Sequence, residues 1–168
     1  QVVETVGLID RATRNEKDRG DYIAALKLGV KRLKRADGED AKQHYAMLMT
    51  DYTLHVKSKP EKAFEWKLKS MPEGWRENGN QLNNVAWWCF ENEVKYEGAL
   101  GLALKGVEIA ERDGDRANVL DTAAGLCNAL GNCDEAVEHM RHAVEIQPDK
   151  QYYKDQLARF EKVLEEKK

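Results

Sequence analysis

LDTAAGLCNALGNCDEAVEHMRHAVEIQP, residues 120–148, decides how this chain is read. Leu120, Ala124 and Cys127 are spaced four and three apart, as on one face of a helix with about 3.6 residues per turn. Gly131 then breaks the segment, Ala136 and Ala143 mark a second helix, and Pro148 ends it. Gly131 supplies a turn conformation that other residues avoid. Pro148 stops a helix because it has no N–H to donate. Asp134, at the start of the second helix, is expected to cap its first amides. The stretch therefore predicts two helices joined by a tight turn, with small residues where they cross so that the axes approach within about 8–10 Å.

Working outward, the same unit occurs once more. LNNVAWWC, from Leu82, aligns with LDTAAGLC, from Leu120, at an offset of 38 residues: Leu82 with Leu120, Ala86 with Ala124, Cys89 with Cys127. The helices that follow, ALGLALKGVEI from Ala99 and AVEHMRHAVEI from Ala136, share an opening alanine and a closing Val-Glu-Ile at an offset of 37. Gly106 replaces the late alanine in the earlier copy, and no proline follows it. Towards the N-terminus, YAMLMTDYTLHV with KPEKAFEWKLKSMP makes a third pair around Ala63. VETVGLIDRATRNEKD with GDYIAALKLGVKRLKR makes a fourth around Ala25. The four alanines, 25, 63, 99 and 136, are spaced 38, 36 and 37 apart. Pro60, Pro72 and Pro148 each sit at an edge between periodic segments, and almost nothing reads as strand.

This grammar resembles the tetratricopeptide repeat (TPR), a 34-residue helix pair with a small residue four after an early large one, a turn glycine and a closing proline. The resemblance implies an all-α fold: a right-handed α-α superhelix of TPR-like pairs with a C-terminal capping helix. As one domain over residues 1–168, the pairs are expected at about 2–36, 41–71, 79–112 and 117–148. The cap is expected at 150–166, where Tyr153, Leu157, Phe160 and Leu164 form one apolar stripe on an otherwise charged helix.

The resemblance also implies a concave groove. With Leu82 and Leu120 at the repeat's fourth position, the groove positions are Asn80, Asn83, Trp87 and Phe90, then Asn118, Asp121, Gly125 and Asn128. Val85 and Ala86 then face the partner helix. Trp87 and Trp88 are neighbours, about 100° apart round a helix, so both cannot enter one core face. Trp88 is expected in the core and Trp87 in the groove beside Phe90. Two readings of Trp87 stand: it covers a neighbouring helix, or it anchors a bound peptide whose backbone the asparagine amides grip. Gly125, equivalent to Trp87 one repeat later, leaves a gap next to that wall. The groove positions carry no Lys or Arg, which argues against the clamp that some TPR domains use on terminal carboxylates.

A broader resemblance runs from Gly74 to Phe160, through LNNVAWWCFEN, VLDTAAGLCNALG and YYKDQLARFEK. It is similar to the C-terminal helical region of bacterial proteins with a thioredoxin-like domain at their N-terminus. The chain begins at Gln1 and not Met, so it is expected to be part of a longer protein. In that family the redox Cys-x-x-Cys lies upstream, and no redox residue carries over to these positions.

Other chemistry finds little support in the residues. Cys89, Cys127 and Cys133 form no Cys-x-x-Cys and read as reduced, buried small hydrophobes. His139 and His142 are three apart, where a zinc helix uses four, and are expected on an outer surface. His44 and His55 have no ligand-like company. Glu161, Glu165 and Glu166 read as a solvated face. KRLKR at 31–35 lacks an aromatic platform for nucleic acid, and a helical-repeat RNA binder of the pentatricopeptide kind needs a basic groove. The net charge is −3, with 16 Lys/Arg and 13 Asp/Glu in residues 1–79 against 11 and 17 in residues 80–168. No apolar run of membrane length or signal peptide is present, and no compartment is assigned.

The expectation is a non-catalytic module without cofactor or metal, binding a peptide or partner protein, with no nucleic acid and no membrane insertion, and able to form a homodimer. The alternative is a structural or dimerising arm of a thioredoxin-like thiol–disulfide oxidoreductase.

Overall fold

A computed structural model describes residues 19–35 and 37–167. They form eight α-helices and no strand, so the fold is all-α. The chain divides into two compact units, residues 1–72 and 73–168. The first helix expected for the N-terminal pair, over residues 2–18, lies outside the described residues.

In the first unit α1 is Arg19–Leu33, α2 Glu39–Asp51 and α3 Pro60–Ser70. Pro60 starts α3, a position where its missing N–H costs nothing. The core is Leu26, Leu33 and Leu48, with Tyr22, Tyr45, Tyr52 and Val56 packed around them. Ala63 is fully buried, whereas Ala25 is only half-buried. Tyr45 of α2 meets Trp66 of α3 edge-on at 5.6 Å between centroids.

The sequence predicts a regular helix through YTLHV, but Tyr52–Val56 is a π-helical turn, with the Lys57 N–H on the Tyr52 carbonyl. Leu48, Tyr52 and Val56 are spaced by fours, which drifts about 40° per step round an α-helix. The wider turn winds less per residue and returns Val56 towards the α1 core.

The second unit opens with a 3₁₀ turn, Trp75–Glu77, followed by α4 Gly79–Glu91, α5 Tyr96–Ile109, α6 Asp113–Leu130, α7 Cys133–Ile146 and α8 Gln151–Glu166. Each helix packs on the next, and α4 also packs on α6. The paired positions seen in the sequence are the core: Leu82, Ala86, Cys89, Ala99, Ala124, Cys127, Ala136 and Ala143 are all buried. Val85, placed towards the partner helix with Ala86, is buried as well.

Gly106, a departure from the repeat pattern, has a steric reason. A Cβ there would lie 3.1 Å from Val119 Cγ1 and 3.3 Å from the Gly79 carbonyl oxygen. An alanine at the crossing of α5 with α4 and α6 would press on both neighbours. Gly131 ends α6 at φ 90°, the left-handed cap expected of it. α8 buries Tyr153 and Phe160, with Leu157 and Leu164 against the same core, so the expected stripe is the packed one.

Three local expectations are corrected. Asn132, not Asp134, precedes α7, and no side chain caps that helix; Asp134 lies inside the first turn, where its charge favours the dipole instead. α6 begins at Asp113, four residues before the expected 117. The acids Asp113 and Asp115 suit a helix N-terminus, and Arg112 and Arg116 pair with them. Trp88 is half-buried and not enclosed. The buried tryptophan among the described residues is Trp75, with the Arg76 guanidinium 4.2 Å over its ring.

Candidate functional site

Asn80, Asn83, Trp87 and Phe90 are spaced three, four and three apart, so they form one stripe along α4. Asn78 sets the start of that helix by accepting the Gln81 N–H at 3.0 Å. Trp87 is 39% exposed and stacks on Phe90 at 5.4 Å between centroids. Phe90 continues to Tyr96 at 6.4 Å. Together they make an aromatic shelf, with Trp87 as its open end.

The gap expected at Gly125 is filled. The Phe90 ring sits 3.2 Å from where a Cβ on Gly125 would be. A glycine on α6 facing an aromatic on α4 lets the ring lie against the backbone, so no pocket forms between them. The ring is thereby held in place, which stiffens the shelf that Trp87 stacks on.

The remaining positions expected to line a groove diverge. Asn118 accepts the Tyr153 hydroxyl at 2.6 Å, and Asp121 accepts the Tyr152 hydroxyl at 3.1 Å. Both are engaged by α8. Burial raises the Asp121 carboxyl above the usual range, while the Tyr152 hydroxyl, Arg159 and Lys150 oppose that shift. Asn128 belongs to the turn after α6: its amide oxygen lies 3.9 Å from the Cys133 thiol and its carbonyl accepts the Gly131 N–H. Asn80 sits at the other end of the α4 stripe, beside Asp115. The side-chain oxygen of Asn83 is buried without a hydrogen-bond partner.

Sequence spacing did not disclose the polar cavity next to Asn80. It holds about 280 Å³ and is lined by the 77–80 segment, the end of α5 and Glu111, Arg112 and Asp115. Arg112 grips Asp115 through two hydrogen bonds, 2.7 and 3.1 Å, which holds that carboxyl below its usual range. Tyr152, 46% exposed, was also missed as a surface residue because the apolar stripe runs through its neighbour Tyr153.

In the first unit Tyr22, Asp51 and His55 gather at the π turn. The Tyr22 hydroxyl hydrogen-bonds Asp51, and the Tyr22 and His55 rings meet edge-on at 6.1 Å. Burial raises Asp51, with His55, Tyr22 and Lys67 opposing. Burial and the Asp51 charge also raise Tyr22. Asp51 and His55 are four apart in the sequence, and only the fold brings Tyr22 of α1 to them.

The cysteines are buried, and burial together with the Glu135 carboxylate pushes the Cys127 thiol up to about 12. His142 is exposed as expected, but His139 is half-buried, and burial lowers it below the usual imidazole value. Among the described residues no cluster of three or more His, Cys, Asp or Glu could hold a metal. No described helix is long and apolar enough to cross a membrane. Glu161 is not simply solvated; it pairs with Arg141 of α7 at 2.8 Å. In comparisons with known proteins, no family model matches the chain and no curated protein matches it.

Proposed function

We propose that residues 73–168 are a non-catalytic interaction module that docks a peptide segment of a partner protein along the α4 stripe. The observation that carries this reading is Trp87, exposed at the end of a shelf whose second ring, Phe90, is fixed against Gly125. A pre-positioned aromatic loses little freedom on binding, which makes it an effective anchor. Asn83 and Asn80, one and two turns before it on α4, supply donors and acceptors for a peptide backbone. The resemblance to TPR grooves supports the same face. Asn118, Asp121 and Asn128 contribute less, because α8 and the α6–α7 turn already use their polar groups.

The test is selection of random twelve-residue peptides on the protein, followed by affinity measurement against Trp87→Ala. Enriched peptides should bind the variant at least about tenfold more weakly. The variant itself should lose no more than about 1 kcal/mol of stability, as expected for an exposed ring. Equal binding to both proteins would remove Trp87 from the site. Severe melting of the variant would make Trp87 a core residue and end the reading.

A further inference from the structure

We propose that Asn78 is a site of spontaneous deamidation held closed by the crossing of α4 with α5, converting to aspartate and isoaspartate only when the first turn of α4 lifts off.

Asn78-Gly79 is the one Asn-Gly step in the chain. Asparagine is a thermolabile residue, and a glycine after it leaves the next backbone nitrogen open to the side chain. That nitrogen attacks the Asn78 Cγ, the Cγ–Nδ2 bond breaks, and ammonia leaves with the amide proton. Solvent water then opens the five-membered imide at either carbonyl. One opening gives aspartate; the other gives isoaspartate, whose main chain runs through the former side chain. An aspartate at 78 keeps the helix cap. Isoaspartate adds a methylene to the main chain and loosens the head of the α4 stripe.

The fold requires both members of the pair. The Asn78 side chain accepts the Gln81 N–H at 3.0 Å, and its backbone carbonyl accepts the Leu82 N–H at 3.0 Å. At Gly79 a Cβ would lie 3.0 Å from the Gly106 carbonyl oxygen and 3.3 Å from the Ala110 Cα, so packing against α5 selects glycine. A cap residue directly before a close helix crossing therefore creates the reactive step.

The same contacts hold the reaction off. Substituents on a tetrahedral Cα stand about 120° apart, so ring closure needs a ψ of about −120°, where the next nitrogen eclipses Cβ. Asn78 has ψ 116°, which turns the Gly79 nitrogen away from the side chain. Asn78 is exposed and Gly79 is buried, so water reaches the side chain and the backbone conformation is what protects it. Rotating ψ means releasing the Gln81 N–H and moving Gly79 off Gly106 and Ala110. Conversion then follows the open fraction of this turn.

The experiment incubates the full chain at body temperature in mildly alkaline buffer and reads aspartate and isoaspartate at position 78 by mass spectrometry of the tryptic peptide 77–95. In guanidinium, Asn78 should convert at least about tenfold faster than in the folded protein, and ahead of Asn80, Asn83 and Asn84 in the same peptide. Gly106→Ala presses a methyl group towards the Gly79 carbonyl without touching the Asn-Gly step. Folded, it should convert at least about threefold faster than the unsubstituted protein. In guanidinium the two should convert equally. Hydrogen exchange of the Gln81 N–H measures the open fraction independently, and the folded-to-unfolded rate ratio at Asn78 should match it within about fivefold.

If folded Asn78 converts as fast as in guanidinium, the crossing does not hold it and the inference falls. It falls equally if folded Gly106→Ala converts no faster than the unsubstituted protein, or if the rate ratio and the Gln81 exchange differ by more than about fivefold. Should Gly106→Ala fail to fold, the exchange comparison on the unsubstituted protein decides.

Discussion

The two units solve the problem of packing helices differently. In residues 73–168 the helices approach through small residues at repeating positions, Ala86, Ala99, Gly106, Ala124, Ala136 and Ala143, all buried. Among the described residues of the first unit, the core centres on three leucines ringed by tyrosines, and a π turn adjusts the register. Charge divides at the same boundary. Residues 1–72 carry 15 Lys/Arg against 11 Asp/Glu, a net +4, and the second unit carries −7. Small residues at fixed positions constrain a helix crossing tightly, because one added methyl group strikes backbone. Large residues can adjust rotamers. That is why two aligned copies are readable in the second unit, while the first keeps only the spacing.

The largest expected break in the second unit comes from its cap. Phe160→Ala should cost about 3–5 kcal/mol in denaturant unfolding, because it empties the space between α8 and the core. A cost under about 1 kcal/mol would show that α8 is an appendage to the core and not part of it.

A sharper test uses glycines. Gly79→Ala should destabilise by about 1–3 kcal/mol, since its Cβ would lie 3.0 Å from the Gly106 carbonyl oxygen. Gly101→Ala, on α5 with nothing within 4 Å, should stabilise by up to about 1 kcal/mol through helix propensity. Equal signs for the two would undo the close-approach argument.

A smaller effect depends on pH. Burial holds His139 below the usual imidazole value, and Glu138 and Glu135 only partly offset it. The unfolded chain therefore takes up the proton first. The stability this group contributes is complete above about pH 6.5 and declines as pH falls towards its folded value. His139→Gln should flatten that shallow slope in melting temperatures between about pH 5 and 7. An unchanged slope would assign it to other groups.

The smallest effect tests the contact between α8 and α6. Tyr152→Phe should cost roughly 0.5 kcal/mol, the lower range for a hydrogen bond. It should also raise the Asp121 carboxyl further, because burial remains and a stabilising donor is lost. An NMR titration of Asp121 reads this directly, and an unchanged carboxyl would mean the hydroxyl does not reach it in solution.

Helical periodicity, the offset between Leu82 and Leu120 and the glycine at 131 were determined by the sequence alone, because helix spacing and turn conformation are local properties of the backbone. The α4 stripe was legible for the same reason: residues three and four apart share a face whatever surrounds them. Tertiary structure decided everything that depends on a second helix. It placed Phe90 against Gly125, turned Tyr152 and Tyr153 onto Asp121 and Asn118, and joined the stretches 77–80 and 109–115 around the cavity beside Asn80. It also gathered Tyr22, Asp51 and His55 at a turn whose widening no spacing rule announces. Those features arise from distances between residues far apart in the chain, and a side chain's reach is set by the packing of its neighbours, which spacing along one strand of sequence does not encode.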